Sequence, residues 1–238
     1  MSAGRVKRLL LPALCITGFL LFTALGVWQV ERRTWKLDLL ARIDQQIHAP
    51  PVGVAALWRL PPRDLPATEY RHVTAAGTFR HDQETLVEAL TERGAGYWVL
   101  TPLVSSSGTV LVNRGFVPSE HADRRTRAAG NGDGLVKVTG LLRLTEPRGR
   151  ILRRNNSAAN RWYSRDVRAI ADARGLGPVV PFFIDADAAP NRGGLPIGGL
   201  TVVAFRNAHL VYALTWFALA ALSVGGLAII RKSAQKSW

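Results

Sequence analysis

The stretch FRNAHLVYALTWFALAALSVGGLAII, residues 205–230, decides how this chain is read. Between Arg206 and Arg231 the one side chain that can carry charge near neutral pH is His209. A helix needs about 20 apolar residues to cross a hydrocarbon core about 30 Å thick, and this run is long enough. So is LLLPALCITGFLLFTALGVWQV, residues 9–30, which holds no charge at all. Trp28 in the first run, and Tyr212 and Trp216 in the second, lie near the run ends. Such rings favour the headgroup level of a bilayer.

Working outward, Arg5, Lys7 and Arg8 precede the first run and would suit a signal peptide. The run exceeds the roughly 7–15 apolar residues of a signal core, and it leads into GVWQVERRTWK without a small-x-small cleavage site. A retained anchor is expected. The span starts too early to leave room for a mitochondrial transit peptide, so the expected location is a bacterial inner membrane. Two spans put both termini on one side. Arg5, Lys7 and Arg8 at one end, and Arg231, Lys232 and Lys236 at the other, suit the cytoplasm. Arg32, Arg33 and Lys36 run against that rule, but long domains cross largely regardless of charge. The expected layout is cytoplasmic 1–8, membrane 9–30, periplasmic 31–206 with a helical stalk over 31–48, membrane 207–230 and cytoplasmic 231–238.

Lys and Arg total 31 against 17 Asp and Glu, a formal net charge of +14. A periplasmic domain meets no nucleic acid, so the surface reads as a basic face beside anionic lipid. The single cysteine, Cys15, falls inside the first run. That excludes a disulfide framework within one chain and any CxxC site, and with Met1 as the one methionine no thioether set for Cu(I) exists.

Between the spans, Trp35, Leu39, Ile43 and Ile47 recur every four residues, so the first helix is expected to continue until Pro50-Pro51. Strands are expected over 70–79, 85–90, 97–104, 109–116, 136–144, 182–185 and 200–205, with a hairpin at SSSG. In the fourth, Val110 and Val112 share one face and Leu111 and Asn113 the other. Asn113-Arg114-Gly115 suggests a bulge or a close backbone approach at the glycine. Residues 165–174 read as a short helix ended by Gly175, 124–134 as a mobile loop, and 193–199 as a flexible elbow. The expected fold is membrane α+β: two transmembrane helices flanking an antiparallel β-rich, barrel- or sandwich-like extracytoplasmic domain.

Catalytic constellations are weak. Asp185 and Asp187 lie two apart, which puts both carboxylates on one side of a strand; turn formation outweighs acid–base work there. Ser105, Ser106 and Ser107 have no GxSxG elbow. His72, His81 and His121 lack metal-site spacing, and the glycines of 193–199 form no phosphate loop.

His209 differs, because an ionisable residue within a span is a functional candidate. His209, Tyr212, Ala213 and Trp216 fall at i, i+3, i+4 and i+7, on one helix face. Gly26, Trp28, Gln29, Arg32 and Arg33 lie at the same depth on the first span. An imidazole, flat aromatic walls and flanking arginines suit a haem: axial nitrogen, macrocycle packing and propionate pairing. Quinone or a lipid headgroup would need similar chemistry, and a histidine hydrogen-bonded to the other helix is an equal alternative.

At these residues the sequence resembles the Surfeit locus family, called Shy in yeast. NAHLVYALTWF (207–217) is similar to its N-x-H-L-x-Y-x-x-T-W signature, and GVWQVER (26–32) to its G-x-W-Q-x-x-R. YWVLTPL (97–103), VLVNRGFVP (110–118), VTGLLR (138–143) and NRWYSRD (160–166) resemble further family motifs in order. Two positions depart from the pattern: Phe116 stands where many members have tryptophan, and residues 155–159 lack a proline before Asn160. The resemblance implies a non-enzymatic assembly factor for haem–copper cytochrome c oxidase that binds haem a and aids its insertion into subunit I. Candidate partners are oxidase subunit I, haem a synthase and membrane lipid. His209 matches the haem-associated histidine and would meet the iron; Tyr212, Trp216, Trp28, Gln29 and Arg32 complete the expected site. The rival readings are a cofactor-free scaffold for oxidase subunits and a periplasmic hydrolase using Asp185 and Asp187.

Overall fold

The computed structural model describes residues 3–150, 152–201 and 207–235. These fall into two compact units, one drawn from Met1–Arg42 with Ala204–Trp238, the other from Ile43–Val203. Helix α1 runs over Ala3–His48 and α4 over His209–Gln235. Both contain a stretch long and apolar enough to cross a membrane, Leu10–His48 and His209–Ser233. Helix α1 continues past its apolar run and stops before Pro50-Pro51, where prolines can extend no helix.

The helices pair through small residues, the pattern that lets backbones approach in a membrane. Gly26, Ala213 and Ala220 are buried. A Cβ built on Gly26 would meet the Phe217 ring at 2.5 Å, and one on Gly18 would meet Ser223 Oγ at 3.2 Å. Phe22 stacks on Trp216 at 5.7 Å between ring centroids. Residue numbers rise on one helix as they fall on the other, so the pair is antiparallel.

The second unit is built on a sheet of seven strands: β1 (Val52–Gly53), β2 (His72–Phe79), β3 (Thr85–Thr91), β4 (Gly94–Ser105), β5 (Gly108–Pro118), β6 (Leu135–Leu144) and β7 (Val179–Ala186). A four-residue helix α2 (Val54–Leu57) follows β1, and α3 (Val167–Arg174) precedes β7. The strand order is β1-β2-β6-β7-β5-β4-β3, and a further pairing of β2 with β4 closes β2, β6, β7, β5 and β4 into a five-strand barrel. All ring pairs are antiparallel except β5 with β7. The antiparallel expectation fails at that one pair for a topological reason: strand directions cannot alternate around an odd ring, so at least one pair must run parallel. Parallel neighbours need a crossover connection, and here it contains β6 and α3.

Alternation along the strands divides the core in two. Val73, Ala75, Leu103, Val110, Val112, Leu142, Phe182 and Ile184, drawn from all five ring strands, fill the barrel. Val87, Leu100, Leu111 and Phe183 point the other way, to Trp162 and to Val167 and Ile170 of α3. Strand β5 is therefore buried on both faces, and Phe182 and Phe183 serve opposite layers. The ends of α3 follow its sequence. Asp166 caps it by accepting from Ala169 N–H at 3.1 Å, and Gly175 closes it at φ +63°.

Three loop expectations change. Residues 124–130 form a 3-10 turn rather than a mobile loop, because the buried Arg127 guanidinium donates to both Glu84 carboxylate oxygens. The elbow at 193–199 is tied to the barrel: Phe116 and Ile197 exchange two backbone hydrogen bonds of 2.9 Å. Leu200 and Thr201 are not in a strand, and the remainder of the strand expected over 200–205 lies outside the described residues.

Gly115 makes that tie possible. Its φ is +128°, and a Cβ there would stand 2.1 Å from Ile197 O, against backbone that cannot swing away. Gly115→Ala is expected to destabilise the β domain by about 2–3 kcal/mol, lowering its Tm by about 5–10 °C in thermal unfolding. An unchanged Tm would contradict the close approach.

Candidate ligand site on the paired helices

His209 opens α4 and turns toward α1, where its Nδ1 lies 2.7 Å from Gln29 Oε1. A carbonyl oxygen only accepts, so in this arrangement Nδ1 carries the proton and donates. In the neutral ring this leaves the lone pair on Nε2, an atom that meets no hydrogen-bond partner among the described residues. An imidazole fixed through one nitrogen and open at the other is the usual state of a histidine metal ligand. Two residues earlier, Asn207 buries its Oδ1 with no partner among the described residues.

The remaining expected residues are placed as follows. Gln29 touches His209, and Trp216 packs on Phe22 of α1. Trp28 and Tyr212 are 53% and 55% exposed, so the two rings face outward from the helix pair. The Arg32 guanidinium sits 3.9 Å over the Trp35 ring, an arrangement that holds the cation close to the helix surface. Gly26 gives Phe217 the room it occupies, and Ala213 is buried on the α1 side. Sequence periodicity put Tyr212 on the His209 face. The structure separates them: His209 and Ala213 turn to the partner helix and Tyr212 away from it.

Asp185 and Asp187 are each engaged elsewhere. Asp185 is buried and accepts from Asn113 Nδ2 at 2.8 Å, Thr201 Oγ1 at 3.0 Å, Arg143 at 3.2 Å and Arg165 at 3.2 Å. Asp187 lies past the end of β7 and pairs with His72 Nε2 at 2.9 Å. Two guanidiniums and two neutral donors occupy Asp185 as an acceptor, so its carboxylate serves the fold. The network continues to Glu69 through Arg143 and to Glu146 through Arg165. Among the described residues no group of three His, Cys, Asp or Glu side chains could hold a metal ion.

The SURF1 family model matches residues 16–221, a span that includes both helix motifs and the whole barrel. The chain belongs to the SURF1 family. The human relative named Surfeit locus protein 1 is 39% identical over 215 residues, covering 83% of this chain and 69% of its own. The mouse protein of that name is 39% identical over 230 residues, covering 90% and 71%. A SURF1-like protein of Monosiga brevicollis is 35% identical over 222 residues, covering 87% and 82%. The match covers the barrel as well as parts of both helices.

Two outcomes test this geometry. A Cβ on Gly226 would lie 3.4 Å from Cys15 Sγ, within reach of a disulfide. The Gly226→Cys variant is expected to form an intramolecular bond with Cys15 on mild oxidation, seen as a thiol-sensitive mobility shift; reduced monomer alone would contradict the helix pairing. In the Asp185 network, burial pushes the Glu146 carboxyl up, but hydrogen bonds and charge from Arg165 outweigh this and hold it below its ordinary 4.5. A depressed folded value stabilises above the unfolded one and is lost as pH falls. Stability of the domain should decline on acidification from about pH 5 to pH 3, less steeply in Glu146→Gln; identical slopes would remove Glu146 from the account.

Proposed function

We propose that this SURF1-family chain is an assembly factor for haem–copper cytochrome c oxidase that holds haem a at His209 and passes it to subunit I. The observation that carries the reading is the nitrogen that the His209–Gln29 bond does not use: Nε2 has no hydrogen-bond partner among the described residues, more than a bond between the helices alone would require. The donor chemistry fits a haem: an imidazole nitrogen at His209, the Arg32 guanidinium three residues beyond Gln29 on α1, and Asn207 Oδ1, which has no partner among the described residues and could accept from a hydroxyl on the cargo. When bound, the haem supplies its own iron chemistry, and the chain supplies position and release. His209 would offer Nε2 to the iron. Gln29 would hold the ring's orientation and tautomer. Trp216, braced on Phe22, would keep water from that side. A single protein nitrogen suits a carrier, because a second strong ligand would slow transfer. No step asks for catalysis by a side chain.

The membrane in this reading is a bacterial inner membrane with the barrel on the periplasmic side. Arg5, Lys7 and Arg8 before the first span and Arg231, Lys232 and Lys236 after the second support it. Subunit I is the intended recipient, and a haem a synthase the source. The second reading is a cofactor-free scaffold that steadies oxidase subunits. The outward Trp28 and Tyr212 rings favour it, because exposed aromatics are common anchors for a partner.

Purification from a host that makes haem a separates the two. The carrier reading expects a Soret band that disappears in His209→Ala and weakens or shifts in Gln29→Leu. Colourless wild-type protein that still co-purifies with subunit I supports the scaffold and overturns the carrier.

A further inference from the structure

Arg114, the centre of the Asn113-Arg114-Gly115 motif, has no part in the helix site. It is 5% exposed, and its guanidinium donates to Asn131 Oδ1 at 2.9 Å and to Gly130 O, with His81 Nδ1 3.3 Å away. The Phe79 ring lies 5.0 Å below it. All these partners are neutral acceptors or rings. Among the described residues no carboxylate reaches within 4.0 Å of it. The nearby acid, Glu84, is taken by the equally buried Arg127 through two hydrogen bonds. Two buried cations thus share one anion, and an uncompensated buried charge is costly. Burial accordingly lowers the Arg114 guanidinium to about 10.

Arg114 lines a cleft of about 450 Å³. Its rim carries two more cations, Lys137 and Arg192, both exposed. Phe79, Val138 and Pro190 give it apolar walls. Of the two acids on the lining, Asp187 is paired with His72, and Asp133 stands exposed at the rim. The cleft therefore has a cationic floor and rim over an apolar body, which suits a ligand with a single negative head and a short hydrocarbon tail. Arginine favours a planar carboxylate, which it can meet with two parallel N–H groups.

We propose that this cleft is a binding site for a carboxylate with an apolar tail, its head on Arg114 and steered by Lys137 and Arg192. The site is independent of the haem reading, since it stands or falls on residues of the barrel alone. The probe is hexanoate, titrated calorimetrically into the detergent-solubilised full chain. Hexan-1-ol is the uncharged control and inorganic phosphate the competing anion. The expected result is saturable binding of hexanoate and none of hexan-1-ol. The Lys137→Ala/Arg192→Ala double variant should bind at least about tenfold more weakly at an unchanged Tm, because both side chains are exposed and lie outside the core. Arg114→Gln should abolish binding; if it fails to fold, the rim variant alone decides. Absence of saturable hexanoate binding, equal uptake of hexan-1-ol, preference for phosphate, or an affinity unmoved by the rim variant would each overturn the proposal.

Discussion

Closure of the barrel on five strands is the constraint from which most of the second unit follows. An odd ring cannot alternate strand directions, so β5 and β7 must lie parallel, and the chain must leave one end of the barrel and return at the other. That return path contains β6, the Trp162 segment and α3. It also brings Arg165 to Asp185 from twenty residues away, and it places Phe183 under α3 while Phe182 enters the barrel. The buried Asp185 network sits where the parallel pair and β6 meet: Asn113 of β5 and Arg143 of β6 both donate to it. Buried charges of this kind are tolerated when every partner is hydrogen-bonded, and an ion pair so buried is weak evidence for stability.

The helix pair obeys a different physics. In lipid the apolar surfaces gain nothing by meeting one another, so contact depends on small residues and on the few polar groups that can bond across. Gly18, Gly26, Ala213 and Ala220 supply the first; His209 and Gln29 supply the second. One hydrogen bond therefore serves two ends. It helps hold the helices together, and it leaves the outer nitrogen of the imidazole as a donor. The same economy explains why a histidine can be accommodated so close to a span: half of its polar demand is met inside the protein.

Much of this was legible in the chain. Apolar length marked both helices long enough to cross a membrane; alternation in 109–116 separated the two faces of β5, which the structure turns to the barrel and to α3; Gly175 marked the end of α3, whose start at Val167 falls two residues past the expected one, after the Asp166 cap. The glycine of the NRG motif signalled a close approach, although only the structure shows that the neighbour is Ile197. What could not be read depends on contacts distant in sequence. Arg127 stands in a polar, glycine-rich segment with every mark of a loose loop, and its order comes from Glu84, forty-three residues earlier. Asp185 and Asp187 looked alike by spacing, but the strand ends between them and their partners arrive from elsewhere. Helical periodicity likewise gave Tyr212 and His209 one face. The imidazole reaches sideways to Gln29, and the tyrosine, one turn on, lies beyond the edge of the contact.

The proposed carrier role rests on His209 Nε2, which has no partner among the described residues, serving as the nitrogen ligand to a haem iron. The most direct measurement is pulsed electron–nuclear hyperfine spectroscopy on ferric haem held by protein labelled with nitrogen-15 at histidine alone. A carrier that binds through His209 gives a strong coupling from one protein imidazole, and that coupling vanishes in His209→Ala. A haem signal without such coupling, or one that persists in that variant, would contradict it.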